Sequence, residues 1–172
     1  MKVLITGVSG TGKSTVAKIL NERGVAAVDL HDVPSLFYWQ DKKTGARVEY
    51  TPDHPEGWFD TVDRRCDFGK LEEILNRSDD VIVAGSDDGS DKKEFFALFD
   101  KVLLLQASPE VLVRRMETRT NKSGYGKTKE EQDDNIAWQK KFDPALLAQG
   151  AIPINTDRPI DKVVKDILKQ AT

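Results

Sequence analysis

Short apolar runs alternate with longer amphipathic stretches along this chain. Lys2-Val3-Leu4-Ile5-Thr6 is apolar and rich in β-branched residues, which reads as a buried strand. Residues 15–23 put Val16, Ile19 and Leu20 at helical spacing, and Gly24 stops the run. Val25-Ala26-Ala27-Val28-Asp29 reads as a second strand, residues 71–75 as a helix, and Val81-Ile82-Val83-Ala84 as a third strand. Residues 101–105 form a fourth. A helix follows it with Ser108 as N-cap, Pro109 in the first turn, and Val111, Leu112 and Met116 facing inward. A long helix covers residues 129–149, with Ile136, Leu146 and Leu147 among its apolar positions and Pro144 marking a kink or a second start. Residues 151–155 read as a fifth strand, at an edge because of Pro153. The closing helix is amphipathic through Ile160, Val163, Val164, Ile167 and Leu168. This alternation predicts an α/β, three-layer fold with a five-stranded parallel sheet and helices on both faces.

Residues 35–66 break the alternation. Phe37-Tyr38-Trp39 is followed by a turn, Arg47-Val48-Glu49-Tyr50, Pro52, Pro55 and Trp58-Phe59. Lys42 to Gly45 suits the tip of a hairpin. Arg64 and Arg65 are expected in a helix. Two readings of this stretch stand together: a small aromatic core under an insertion, and a surface for a planar or anionic acceptor.

The chemistry enters after the first strand. Gly7-Val8-Ser9-Gly10-Thr11-Gly12-Lys13-Ser14 fits the Walker A pattern, with a strand before it and a helix after it. Its glycines let the backbone wrap a phosphate chain, and its N–H groups point inward at a helix N-terminus. Lys13 neutralises the outer phosphates of such a ligand, and the Ser14 hydroxyl suits Mg²⁺. Gly7, Ser9, Gly10, Thr11, Gly12, Lys13, Ser14 and Thr15 are the expected phosphate-binding set.

In open α/β sheets ligands sit beyond the carboxyl ends of the strands. That places Asp29, His31 and Asp32 near the loop. An Asp there can hold Mg²⁺ through water or take a proton from a substrate hydroxyl; the bland alternative is a turn acid. His31 is either a ligand or base, or a solvated turn residue. Where many Walker proteins carry an acid at the end of the third strand, this chain has Ala84-Gly85. Asp87 and Asp88 beyond it are either indirect Mg²⁺ partners or a solvated acidic turn. Gly85 can let a substrate approach closely. Arg114, Arg115, Arg119, Lys122 and Lys127 accompany the helix after the fourth strand and the polar loop beyond it, which reads as a mobile flap. One cation is explained by the helix C-terminus, but the set is not. Trp138 reads as core.

Composition narrows the setting. The 172 residues suit one domain, and the single cysteine, Cys66, forms no intrachain disulfide, as expected in a reducing cytoplasm. A net charge of -3 argues against sequence-independent nucleic-acid binding. The first residues suit neither a signal peptide nor a membrane span.

Residues 4–14, 27–34, 99–105, 115–127 and 154–164 resemble the P-loop small-molecule kinases, the superfamily of shikimate, nucleoside and nucleoside-monophosphate kinases. More narrowly, they resemble a bacterial subgroup usually labelled AAA-family ATPase or nucleotide kinase-like. After Walker A the most specific piece is Arg119-Thr120-Asn121 with Gly126-Lys127. The resemblance implies that Arg115 stacks on adenine, that Arg119 reaches the phosphates as a lid over 119–128 closes, and that Asp157, Arg158 and Pro159 line the base pocket. It also implies an acid-x-acid pair after the second strand. Here that pair reads Asp29-Leu30-His31, with Asp32 next, so the second acid is displaced or replaced. Gly85-Ser86-Asp87 is not the three-glycine loop of shikimate kinases.

The reading is one P-loop domain over residues 1–172, acting as an ATP- and Mg²⁺-dependent phosphotransferase on a small-molecule acceptor, a nucleoside or nucleotide foremost. Lys13, Asp29, Asp32, Arg119 and Lys127 carry catalysis, and Ser14 and Asp29 the metal. Asp32, Trp39, Trp58, Arg64, Arg65 and Gly85 meet the acceptor, over an insertion at 35–66. The alternative is a nucleotide-dependent binding or regulatory ATPase without an acceptor. The expected protein is a cytoplasmic monomer or homodimer away from membranes.

Overall fold

The computed structural model describes every residue except 52, 56, 87–88, 90–91, 121–124 and 172. The five expected strands are present: β1 (Lys2–Thr6), β2 (Ala27–Asp29), β6 (Val81–Ala84), β7 (Lys101–Gln106) and β8 (Ile152–Asn155). They pair in parallel in the order β2-β6-β1-β7-β8, which leaves Pro153 on an edge strand as expected. Val3, Leu4 and Ile5 of central β1 are all buried, which is why that strand reads as a continuous apolar run. Its side chains alternate between layers. Val3 and Ile5 join Val16 and Leu20 of α1 (Lys13–Glu22) and Val163, Val164 and Ile167 of α7 (Ile160–Ala171). Leu4 joins Leu71, Ile74 and Leu75 of α3 (Phe68–Leu75) and Phe95 of α4 (Lys92–Phe96) on the other face. Leu104 packs with Leu112 and Met116 of α5 (Pro109–Thr118) and Phe142 and Leu146 of α6 (Lys129–Ala148). The strand order reverses at β1, so the loop leaving β1 opens where ligands of such sheets sit.

Residues 37–66 form a second sheet. β3 (Phe37–Asp41), β4 (Arg47–Val48) and β5 (Val62–Cys66) pair antiparallel in the order β4-β3-β5. The β3–β4 hairpin turns at the expected place, where Asp41 accepts hydrogen bonds from the Lys43 and Thr44 N–H groups. The helical expectation for Arg64 and Arg65 is wrong. The helix α2 covers only Trp58–Thr61, and both arginines lie in β5, paired with Trp39 and Tyr38 respectively. Pairing with β3, a contact distant in sequence, overrides the helical propensity of adjacent arginines. The pairing also puts Arg64 and Arg65 on opposite faces.

The helix α6 runs through Pro144 without a second start. Its inward face is unlike the apolar stripe expected. Leu146 is buried, but Leu147 is exposed, and Gln132, Asn135 and Asp143 are buried. These residues and Gln139 recur at helical spacing and serve the loops at the strand ends. Gln132 donates to the Gly126 carbonyl (3.1 Å) and Gln139 to the Ala107 carbonyl (3.0 Å). Asn135 binds Ser9 twice, accepting from its N–H (3.2 Å) and donating to its carbonyl (2.9 Å). Asp143 accepts from Gln106 at 2.9 Å. Burial raises the Asp143 pKa above its ordinary 3.8, against the opposing pull of the Gln106 and Gln139 amides.

Two outcomes follow from this stripe. The native Asp143 binds its proton more tightly than the unfolded chain does. Stability therefore falls as pH rises from 3.8 through the raised native value, and the full cost is present above that value. Asp143→Asn, which carries no charge, is expected to raise Tm by about 2–4 °C at pH 8, with the gain vanishing towards pH 4; thermal melts across pH check it. Asn135→Ala removes both Ser9 hydrogen bonds. It is expected to cost about 2 kcal/mol and to speed amide exchange at residues 8–11 more than in β1, as read by hydrogen–deuterium exchange.

Candidate active site

The loop from Gly7 to Gly12 crosses the carboxyl end of β1 against β7. A Cβ at Gly7 would stand 2.5 Å from the Leu105 carbonyl oxygen, so no side chain fits there. The buried Thr11 hydroxyl donates to the Val8 carbonyl at 2.8 Å. Gly12 precedes α1 in the left-handed region (φ 100°), and no side chain caps the helix. The first α1 N–H groups are therefore served by no cap side chain, which is the arrangement that receives an anion. The Lys13 ammonium folds over the loop and donates to the carbonyls of Gly7 (2.6 Å) and Val8 (3.0 Å).

Asp29 ends β2 beside Ala84 of β6. Burial opposes its ionisation, but hydrogen bonds from His31, from the Ser14 hydroxyl and from the His31 N–H outweigh it. The carboxyl is held below its ordinary value. Ser14 opens α1 and Asp29 ends β2, and two hard oxygen donors beside a phosphate loop fit Mg²⁺. Asp29 stands one strand away from the end of β6, where Ala84 carries no acid. His31 sits in the short 3₁₀ turn Leu30–Asp32, its Nδ1 3.5 Å from the Asp29 carboxylate. Asp32 is exposed at the end of that turn.

Two arginines of the α5 end reach the loop. Arg115 donates to the Gly10 carbonyl (3.3 Å), the Thr156 hydroxyl (3.0 Å) and the Thr156 carbonyl (2.6 Å). Arg119 donates to the Ser9 hydroxyl (2.9 Å) and to the Tyr125 carbonyl. Burial lowers both guanidinium pKa values; Asp157 resists this for Arg115, and Tyr125 and Glu131 for Arg119. Lys127 does something else: its ammonium caps the end of α5, on the carbonyls of Glu117 (2.8 Å) and Arg119 (2.6 Å). Among the described cations of this set, it is the one placed on helix-end carbonyls. Glu131 accepts from the N–H groups of Gly126, Lys127 and Thr128 and fixes the base of the segment expected to act as a lid. Residues 121–124 of that segment lie outside the described residues, as do the candidates Asp87 and Asp88.

A cleft of about 320 Å³ opens on the loop. Gly7, Val8, Ser9 and Lys13 form its floor; His31, Arg64 and Ser86 enter from the β2, β5 and β6 ends. Tyr125, Asp134, Asn135 and Trp138 complete it. A slightly larger cavity, about 370 Å³, lies at the opposite strand ends around Asp100 and Lys101 and touches none of these groups.

The other expected contacts sit elsewhere. Arg65, 3.7 Å from Asp63, lies on the face of β5 opposite Arg64. Trp39 and Trp58 pack edge to face at 5.3 Å, with Phe59 against both, in an aromatic cluster of the small sheet. Gly85 is explained by packing, since a Cβ there would stand 2.9 Å from Leu30 Cβ. Ser108 is the N-cap of α5 as expected, though its side chain makes no cap bond, and its own N–H donates to the Asp157 carboxylate (3.0 Å). Arg158 binds the Asn155 carbonyl (2.9 Å) and Asp166. Thr15 is exposed on α1, and Pro159 precedes α7. Asn135, Asp134 and Trp138 were not expected in the site. The signal for Asn135 is the polar stripe Gln132, Asn135, Gln139, Asp143 on an otherwise core-facing helix.

Residues 3–137 match the family model described as AAA domain. A UPF0200 protein of Saccharolobus islandicus is 30% identical over 120 residues, covering 66% of this chain and 62% of that relative. The chain thus spans less than two thirds of that relative's length. Shikimate kinase from Bacteroides thetaiotaomicron superposes with a TM-score of 0.62 at 19% identity, covering 98% of this chain and 97% of that one. Deoxyadenosine kinase from M. mycoides with bound dATP superposes at 0.55 with 14% identity and 98% coverage of both chains. These likenesses show a P-loop kinase-like α/β fold. Among the described residues no helix is long and apolar enough to cross a membrane. With the phosphate loop, its strand and its helix all inside the matched span, the chain belongs to the AAA domain family.

Proposed function

We propose that this protein is an Mg²⁺-ATP-dependent phosphotransferase that moves the γ-phosphoryl group of ATP to a hydroxyl of a small acceptor, a nucleoside or nucleotide. One observation carries the reading. A single cleft is lined both by the phosphate loop with Lys13 and by side chains from outside it, His31, Arg64, Asp134 and Trp138. A donor and an acceptor can meet there.

The bond from the acceptor oxygen to phosphorus forms as the bond to the β-phosphate breaks, and ADP leaves. Lys13 turns from its own loop carbonyls to the transferring group, and Arg119, already at Ser9, neutralises charge beside it. Asp29 or Asp32 orients the acceptor hydroxyl and takes its proton. Ser14 and Asp29 would hold Mg²⁺, which when bound supplies charge neutralisation on the phosphates. Arg115 steadies the loop through Gly10, and Lys127 acts through Arg119, whose carbonyl it binds. Buried guanidinium groups lose solvation, which a phosphate restores.

The direct test is ADP release from Mg²⁺-ATP, alone and against nucleosides, nucleoside monophosphates, shikimate and sugar alcohols. Stimulation by nucleosides or nucleotides is expected. A flat panel with confirmed ATP binding would instead favour a nucleotide-dependent binding protein. Lys13→Ala is expected to abolish transfer while leaving the thermal melt close to native; wild-type turnover in it would overturn the assignment. Arg119→Ala should lower kcat by roughly 10³-fold and Lys127→Met by less, about tenfold. The reverse order in single-turnover rates would make Lys127 the catalytic cation.

A further inference from the structure

Resting on the reading of the loop as the site for the donor's phosphates, we infer that Thr156 is a positioning residue for that loop and acts on it through Arg115. Thr156 follows β8, and only 3% of it is exposed. All its polar groups are in use. Its N–H (2.7 Å) and its hydroxyl (3.0 Å) donate to the Gln106 carbonyl at the end of β7. The hydroxyl also accepts from Nη1 of Arg115 at 3.0 Å, and the Thr156 carbonyl accepts from Nη2 at 2.6 Å. Two acceptors on one residue fix the plane of the guanidinium, and Nη1 reaches on to the Gly10 carbonyl at 3.3 Å. Gly10 lies in the left-handed region (φ 89°), and a Cβ there would stand 3.4 Å from Leu112 and Met116 of α5, the helix that carries Arg115. A glycine restrains its own dihedrals little, so the grip on its carbonyl and the packing on α5 set the Gly10 peptide. The resemblance to P-loop kinases sends Arg115 to adenine. Its three acceptors lie within the chain, and they make it a strut between the end of β8 and the phosphate loop. The strut therefore serves the grip on polyphosphate, whatever base the donor carries.

Calorimetric binding of two probes, Mg²⁺-ATP and Mg²⁺-tripolyphosphate, which has no base, tests the strut. Thr156→Val keeps the shape of the side chain and removes the hydroxyl. It is expected to weaken both probes by a common factor, roughly tenfold. Thr156→Ser restores the hydroxyl and is expected to bind both within about twofold of the native chain. Arg115→Met removes the strut from its other end and is expected to reproduce the common loss; it carries the test if Thr156→Val does not fold. A lowered Tm in Thr156→Val with both affinities unchanged overturns the positioning role. Loss of ATP affinity with tripolyphosphate affinity intact also overturns it, and puts Arg115 on the base. The common loss in a chain that turns over no acceptor overturns the transfer reading and leaves the strut standing. Failure of the native chain to bind either probe overturns both.

Discussion

A loop built to receive phosphate keeps its N–H groups out of helices and sheets, and so cannot hold itself in shape. The paired hydrogen bonds between Asn135 and Ser9 solve that problem here. The amide reads the Ser9 N–H and carbonyl as a neighbouring strand would, at 3.2 and 2.9 Å. The constraint extends along α6. Gln132 holds Gly126, Gln139 holds Ala107, and Asp143 meets Gln106, so one helix face services the loops after β1 and β7 and the turn before α6 itself. A helix over a sheet interior buries leucines, but one over loop backbone must bury amides, because unsatisfied peptide groups are costly. The raised pKa of Asp143 shows the one place where a charge stands in a row of neutral amides.

The same logic ties the loop to α5. Arg115 spans from Gly10 to Thr156, joining the loop to the end of β8, and Arg119 spans from Ser9 to Tyr125, joining it to the segment before α6. Lys127 closes the circuit on the carbonyl of Arg119. Three elements far apart in sequence therefore converge on residues 9 and 10. Glu131, with three backbone N–H partners, is held below its ordinary carboxyl pKa in spite of burial, so the turn before α6 is organised around a fixed anion. The cations around the loop are arranged by carbonyls and hydroxyls, a framework in which each guanidinium already points at loop backbone.

How much of this was legible depended on how local the cause was. The five strands and the Walker loop were legible because buried parallel strands read as unbroken apolar runs and the loop motif sits between a strand and a helix. The place of Asp29 at the end of β2 was legible from the apolar run before it. Arg64 and Arg65 were misplaced because their strand exists only through pairing with residues 37–41, which nothing adjacent announces. Gly85 has a packing cause, Leu30, in a different element. Trp138 was taken for core, and it does pack on the core beside Phe142, with Lys92 over its ring, while also bordering the cleft. Apolar periodicity cannot distinguish a ring that is covered from one that borders a cavity.

The small sheet shows how little of an insertion has to be chemical for it to serve a site. Alternation in β5 sends Val62, Arg64 and Cys66 to one face and Asp63 and Arg65 to the other. Val62 and Cys66 are buried and Arg65 stands by Asp63, so four of these five residues anchor the strand. Arg64 alone among them lines the cleft, with its guanidinium 4.4 Å from the centre of the Phe37 ring. Phe37 in turn packs on Phe95 of α4, so the arginine rests on a ring that belongs to the main core. The aromatic cluster of Trp39, Trp58 and Phe59 packs around Trp39, the register partner of Arg64. An insertion rich in aromatics thus places one cation, Arg64, in the wall of the cleft.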